Sequence, residues 1–219
     1  MKKYLILLLL ILFSASFADA KTATYTVNAS ANDARCIDSE SCTGYMTQLY
    51  MYFPYANDAS KTFFKWSVNL PANVTLISTY LTVFPYSSAT NASTINLDYV
   101  AADSCGTLAA NLAVGGSPVT WTFGNWTAGT AAKSDVDIKA LLSAWLARAG
   151  YTPGNYFGLR GIYNTGSGVS RFISSYDGDT TKAAQLEVNY TGGDAIIEMM
   201  MAPPHVKTKQ YIEMNIWNQ

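Results

Sequence analysis

Residues Phe63 to Phe84, FFKWSVNLPANVTLISTYLTVF, hold two period-two apolar runs joined by Leu70-Pro71-Ala72-Asn73. In the first run Phe64, Trp66 and Val68 alternate with Phe63, Lys65 and Ser67; in the second, Leu81 and Val83 alternate with Tyr80 and Thr82. Such alternation marks a strand with one buried and one wet face. Pro71 has no N–H to give a ladder and Asn73 tolerates turn geometry, so the chain leaves one strand here and enters the next.

The same rhythm runs on both sides of this pair. Short β-type runs at Thr24–Val27, Tyr45–Phe53, Thr62–Val68, Thr75–Phe84, Ile95–Val100, Val119–Phe123, Tyr156–Ile162, Arg171–Ser175 and Gln185–Tyr190 are separated by turn residues. That succession predicts an all-β antiparallel sandwich. Only Asp135–Arg148 departs from it, with Ile138, Leu141, Leu142, Trp145 and Leu146 at helical spacing. A short amphipathic helix is expected there, capped by Ser134 or Asp135 and ended at Gly150, with Trp145 packed over an open end of the sandwich.

Lys2 and Lys3, an apolar run from Tyr4 to Phe13 and the small-x-small site Ala18-Asp19-Ala20 read as a secretory signal peptide, residues 1–20. Its apolar core is short for a membrane span, so the expectation is a secreted chain, extracellular or at the cell surface, with no span after cleavage. The remainder, about 200 residues, suits one domain. Gly192-Gly193 closes it, giving a sandwich domain over residues 21–192 and a tail over 193–219 that holds Met199–Met201, Pro203-Pro204 and His205. The tail's apolar content suggests docking on a neighbouring molecule, with disorder as the alternative.

Lys and Arg number 14 against 15 Asp and Glu, for a formal net charge of −1. No basic stripe exists to neutralise phosphates, which argues against nucleic-acid binding. Of the 3 cysteines, Cys36 and Cys42 form the natural disulfide of an exported chain. Cys105 is then left over, as a small buried hydrophobe or else as an intermolecular bridge or reactive thiol; the loop-like Asp103, Ser104 and Gly106 around it keep other pairings open. Asn-x-Ser/Thr sequons stand at Asn28, Asn73, Asn91, Asn125 and Asn189 and are candidate glycosylation sites.

Catalytic motifs are sparse. His205 is the only histidine, which disfavours a hydrolytic triad. Asp135 with Asp137 and Asp177 with Asp179 are the carboxylate pairs to consider for glycoside hydrolysis. Asp177-Gly178-Asp179-Thr180 reads first as a hairpin turn, since Asp-Gly supplies positive φ angles. Asp177 and Asp179 are also a fragment of a structural calcium site, and Asp33, Asp38 and Glu40 around the cysteine loop are a second, although calcium takes six to eight oxygens. No cofactor is required by any motif.

The ordered motifs resemble the DNRLRE domain, the secreted disaggregatase-related family that includes carbohydrate-binding modules. Phe64-Lys65-Trp66-Ser67-Val68 with Leu70-Pro71 resembles its aromatic strand and Leu-Pro turn, and Asn73–Phe84 its following strand. Val119-Thr120-Trp121 resembles its Val-Thr-Trp, Asp137–Trp145 its Asp-(Ile/Val) start and buried Trp, and Asn155–Leu159 its Asn-Tyr-Gly-Leu, with Phe157 added before Gly158. Phe172–Asp177 and Leu186-Glu187-Val188-Asn189-Tyr190 are similar to its last two strands, Ser175-Tyr176-Asp177 standing where the family has Ser-Arg-Glu. The resemblance implies a jelly-roll sandwich used for polysaccharide binding or surface architecture, and no particular sugar.

Alignment with that pattern sets Leu49 and Met51 inward, which turns Tyr50 and Tyr52 outward. By the same alternation Leu159 and Phe172 inward leave Arg160 and Arg171 outward, beside Lys65. If these strands adjoin, Tyr50, Tyr52, Lys65, Arg160 and Arg171 form a ligand-binding face for an acidic polysaccharide. The first expectation is therefore a non-catalytic polysaccharide-binding module. Its rivals are a structural or adhesive subunit that self-associates through its tail, a sheet face or Cys105, and, behind it, a small polysaccharide lyase or hydrolase.

Overall fold

The structure, a computed structural model, describes residues 19–36, 42, 50–53, 61–71, 73–90, 92–166 and 171–193, with 50–53, 165 and 166 described by their backbone. Its strands are β1 (Lys21–Thr26), β2 (Asp33–Cys36), β3 (Tyr50–Phe53), β4 (Lys61–Ser67), β5 (Val74–Val83), β6 (Ser93–Val100), β7 (Val114–Phe123), β8 (Ala132–Lys133), β9 (Tyr156–Gly166), β10 (Arg171–Ser174) and β11 (Gln185–Gly192), with one α-helix, α1 (Lys139–Leu146). One sheet runs β1-β11-β5-β8 and the other β2-β4-β9-β6-β7, all pairs antiparallel. This is the expected all-β sandwich with one short helix.

A two-stranded ribbon of β10 and β3 is stitched to the chain leaving β5: Ser174 N–H donates to Phe84 O at 2.8 Å and Tyr86 N–H to Phe172 O at 2.8 Å. Asn73, in the turn between β4 and β5, takes the left-handed φ of 63° that its type tolerates. Between the sheets Phe64, Trp66, Leu81, Leu159, Phe157, Leu186 and Val188 form the main core. Trp66 stacks at 5.8 Å on Phe64 and its Nε1–H donates to Ala184 O at 3.0 Å, so the indole is buried with its donor satisfied.

The wet face expected for β4 does not exist. Phe63 is fully buried and Lys65 is 8 % exposed, because residues 101–113 and the Cys36–Cys42 pair cover the outer side of the sheet. Phe63, Val100, Cys105, Leu108 and Ala110 make a second small core there with Ala34, Cys36 and Cys42. Two lysines of β4 bind carbonyls of the covering segment: Lys61 Nζ donates to Ala110 O at 2.6 Å and Lys65 Nζ to Gly106 O at 2.7 Å. Gly158 makes the cover fit, since a Cβ there would stand 2.7 Å from Cys105 Sγ and 2.8 Å from Val100 Cγ2. Cys105 is reduced, 2 % exposed, and its thiol pKa is pushed up by burial.

Cys36 and Cys42 are bonded, as the spacing suggested. Replacing both with serine is expected to cost about 2 kcal/mol in the chain-entropy picture of so short a loop. Urea titration checks this: the midpoint should fall while the slope stays unchanged.

The helix is shorter than its apolar pattern and is not capped by Ser134 or Asp135. Asp137 is the anchor instead, its Oδ1 accepting the N–H groups of Lys139 and Thr79, both at 2.8 Å. Ser134 ties the approach to β5, accepting from Leu81 N–H at 3.1 Å and donating to Val136 O at 3.1 Å. These bonds lay α1 across β5, β6 and β7 and bury Trp145 completely. No helix among the described residues is long and apolar enough to cross a membrane.

Candidate functional site

Lys65 and Arg160 do share a side of one sheet, since Phe63 pairs with Arg160 and Lys65 with Gly158. Neither offers a free charge. Lys65 is held under Gly106 with its ammonium 5.3 Å from the Tyr156 ring, and Arg160 Nη2 donates to the nearly buried Asp98 at 2.7 Å. Arg171 lies elsewhere, on the β10–β3 ribbon, and the phase assigned to that strand is reversed: Arg171 and Ile173 are the buried parity, at 1 % and 0 % exposure, while Phe172 is half-buried. The side chains of Tyr50 and Tyr52 lie outside the described residues. The described cations thus form no common outward face.

Arg171 instead backs a different feature. Its guanidinium carbon sits 5.3 Å from the Trp126 ring centroid and 5.7 Å from that of Phe123, and Nη2 donates to Gly124 O at 3.3 Å. Its Nε and Nη1 have no hydrogen-bond partner, and burial lowers its pKa. Phe123 and Trp126 stack in parallel at 5.0 Å, 3° apart, and Trp121 meets Phe123 edge-on at 5.4 Å. These rings form the floor of a cavity of about 420 Å³ bounded by the end of β7, the loop 124–131, β8 and Asp135.

The loop is fixed from behind. Trp126 exchanges backbone hydrogen bonds with Ala89 at 2.9 and 3.1 Å, Gly129 N–H donates to Pro85 O at 2.7 Å, and Ala128 N–H to Ser88 Oγ at 2.9 Å. The cavity's polar groups, by contrast, are idle: among the described residues Thr122, Asn125, Thr127, Thr130 and Asp135 are exposed and their side chains have no hydrogen bond or ion pair. Lys133 also lines it, but its ammonium is committed to Glu187 at 2.7 Å and stands 4.4 Å from the Tyr80 ring. A rigid aromatic floor with uncommitted amide, hydroxyl and carboxylate groups above it can hold a flat polar molecule. In the sequence Asn125 stands out only as a sequon, and the sole signal of the cleft is the density of Trp121, Phe123 and Trp126 in one short stretch.

Asp135 apart, the described carboxylates considered for catalysis or calcium are held in hydrogen bonds of the fold. Asp137 anchors α1, as above. Asp179 caps a 3-10 turn, accepting from Thr181 N–H at 3.0 Å and pairing with Lys182 at 3.0 Å; the Thr181 and Lys182 hydrogen bonds hold its pKa down at about 2. Asp177 Oδ1 accepts from Ser30 Oγ at 2.7 Å, and its Oδ2 has no partner. The Asp177-Gly178 turn is not a hairpin and Gly178 has no positive φ, because β10 pairs with β3 while β11 pairs with β1 and β5. Asp33 is buried, but Asp38 and Glu40 lie outside the described residues, as does His205 with the tail from residue 194 onward.

Of the sequons, Asn28, Asn73 and Asn125 are exposed, and Asn91 lies outside the described residues. Asn189 is half-buried in a network across three strands, accepting from Thr22 Oγ1 at 2.6 Å and donating to Ser78 Oγ at 3.0 Å and Glu187 Oε1 at 3.2 Å. A sugar on its Nδ2 would displace a donor hydrogen from that network. Compared with known proteins, the chain matches no family model and no curated protein, so its own geometry carries the functional reading.

Proposed function

We propose that the protein is a DNRLRE-like, non-catalytic β-sandwich module, exported from the cell, that binds polysaccharide in the cleft at the end of β7. The observation that carries the reading is the stacked Phe123 and Trp126 floor beneath idle Asn125, Thr122, Thr127, Thr130 and Asp135 side chains. Sugars present C–H faces to aromatic rings and hydroxyls to polar groups, and small-ligand clefts of roughly 300–1,000 Å³ combine these two kinds of surface. The disulfide and the leader-like N-terminus support export.

Retention on a glycan array or in affinity gels tests the reading. Trp126→Ala is expected to weaken binding tenfold or more, the scale of a truncated aromatic anchor at about 2 kcal/mol. Trp126 is 8 % exposed, so its loss also strains the fold; Asn125→Ala, at an exposed position, supplies the second variant, with an expected loss of about threefold to tenfold for one hydrogen-bonding group. No retention of the wild type, or retention unchanged in both variants, overturns the proposal.

A further inference from the structure

Resting on that reading of the cleft, we infer that its ligand is a neutral glycan and that Asp135 is the residue that makes it so. The charges around the cavity decide the matter. Two charged residues line it, Lys133 and Asp135. The ammonium of Lys133 is exposed but paired with Glu187 and set over the Tyr80 ring, whereas Asp135 is exposed and unpaired among the described residues.

Arg171, a further cation nearby, stands behind the floor. It is 1 % exposed and is not part of the lining, and the Phe123 and Trp126 rings lie against its guanidinium. Recognition of a carboxylate or sulfate needs donors that reach its oxygens, commonly a bidentate guanidinium. Among the described residues, the cleft's lining holds no guanidinium, and its one ammonium, that of Lys133, is already paired with Glu187. A uronate placed on the Trp126 floor would instead face the carboxylate of Asp135, and like charges at short range disfavour binding.

Toward a neutral sugar the same group is an asset. A carboxylate accepts hydrogen bonds from two neighbouring hydroxyls, and such bonds to a charged acceptor are the strong ones. Its position is held: Ser134, the preceding residue, is buried, with N–H bonded to Leu81 O at 2.7 Å and hydroxyl bonded on both sides, and Asp137 grips two backbone N–H groups two residues on. Asp135 is therefore an acceptor carried at the cavity on backbone anchored at Ser134 and Asp137, with Asn125 and the threonines available for further hydrogen bonds.

The test uses the full chain against two panels of soluble polymers, neutral (β-glucan, xylan, glucomannan) and acidic (alginate, polygalacturonate, a sulfated galactan), each run with wild type, Trp126→Ala and Asp135→Asn. At least one neutral polymer is expected to bind at least tenfold more tightly than any acidic one. Asp135→Asn is expected to weaken the neutral polymer about tenfold and to narrow the gap between the panels, with an unchanged melting temperature because the position is exposed. Binding of acidic polymers that is as tight as neutral and lost in Trp126→Ala overturns this inference and leaves the cleft as the binding site. Neutral preference unaffected by Asp135→Asn removes Asp135 from the account. Absence of any binding sensitive to Trp126→Ala overturns the cleft reading itself.

Discussion

Asp33→Asn is expected to stabilise the protein at pH 8 by roughly 3–4 kcal/mol and to change its stability little at pH 4. Asp33 opens β2, pairs opposite Phe64 and is 0 % exposed. Its Oδ2 accepts Tyr176 N–H at 2.8 Å, while Oδ1 has no partner. Desolvation, helped by the nearby Asp177 carboxylate and only partly opposed by the Tyr176 N–H, raises its pKa from 3.8 to about 7. Between those values the folded chain keeps a proton that the unfolded chain releases, so wild-type stability falls as pH rises from about 4 to about 7 and levels off above it. Asparagine keeps the acceptor for Tyr176 N–H and never ionises. Urea titrations at pH 4, 6 and 8 should show the variant's advantage growing across that window. A wild-type stability that is flat over the same range would refute the buried acid.

The same β2 strand shows where the sequence stops being legible. Phe64, Trp66, Leu81 and Val83 announce their sheets because a strand between a core and solvent must alternate, and all four are core residues. Asp33-Ala34-Arg35-Cys36 announces nothing: it has no β-branched residue, and its place at the edge of the sheet follows from pairing with β4 far along the chain. Phe63 and Lys65 obey the alternation yet are covered, since what lies on the far side of a sheet depends on where residues 101–113 and the Cys36–Cys42 pair come to rest. Arg171 misleads for a related reason. A charged residue reads as outward, and here its desolvation is offset in part by two aromatic faces and the Gly124 carbonyl, groups contributed by a loop that precedes it by some fifty positions. The cleft itself joins the end of β7, β8 and Asp135 through backbone bonds to residues 85–89, pairings that leave no periodic trace.

The helix, in contrast, was legible from Leu141, Leu142 and Trp145, and Trp145 is where a single truncation should do most harm. Its ring is 0 % exposed and wedged edge-on between Tyr151 at 5.0 Å and Phe157 at 5.3 Å, so it bridges the helix to β9 and the loop before it. Its Nε1–H donates to Ala102 O at 3.0 Å, at the root of the segment that covers Phe63 and Lys65. Alanine would remove the ring, leave a cavity that the fixed strands around it close only in part, and strip that carbonyl of its donor. The expected cost is about 3–5 kcal/mol, which at roughly 2–4 °C per kcal/mol for a chain of this size lowers the melting temperature by about 6–20 °C. Phenylalanine separates the two contributions, since it restores most of the packing but not the hydrogen bond; Trp145→Phe should lose about 1–2 kcal/mol. Thermal and urea unfolding of the three proteins measure both steps. Equal losses for Ala and Phe would mean that the hydrogen bond to Ala102, rather than the packed ring, is what Trp145 contributes.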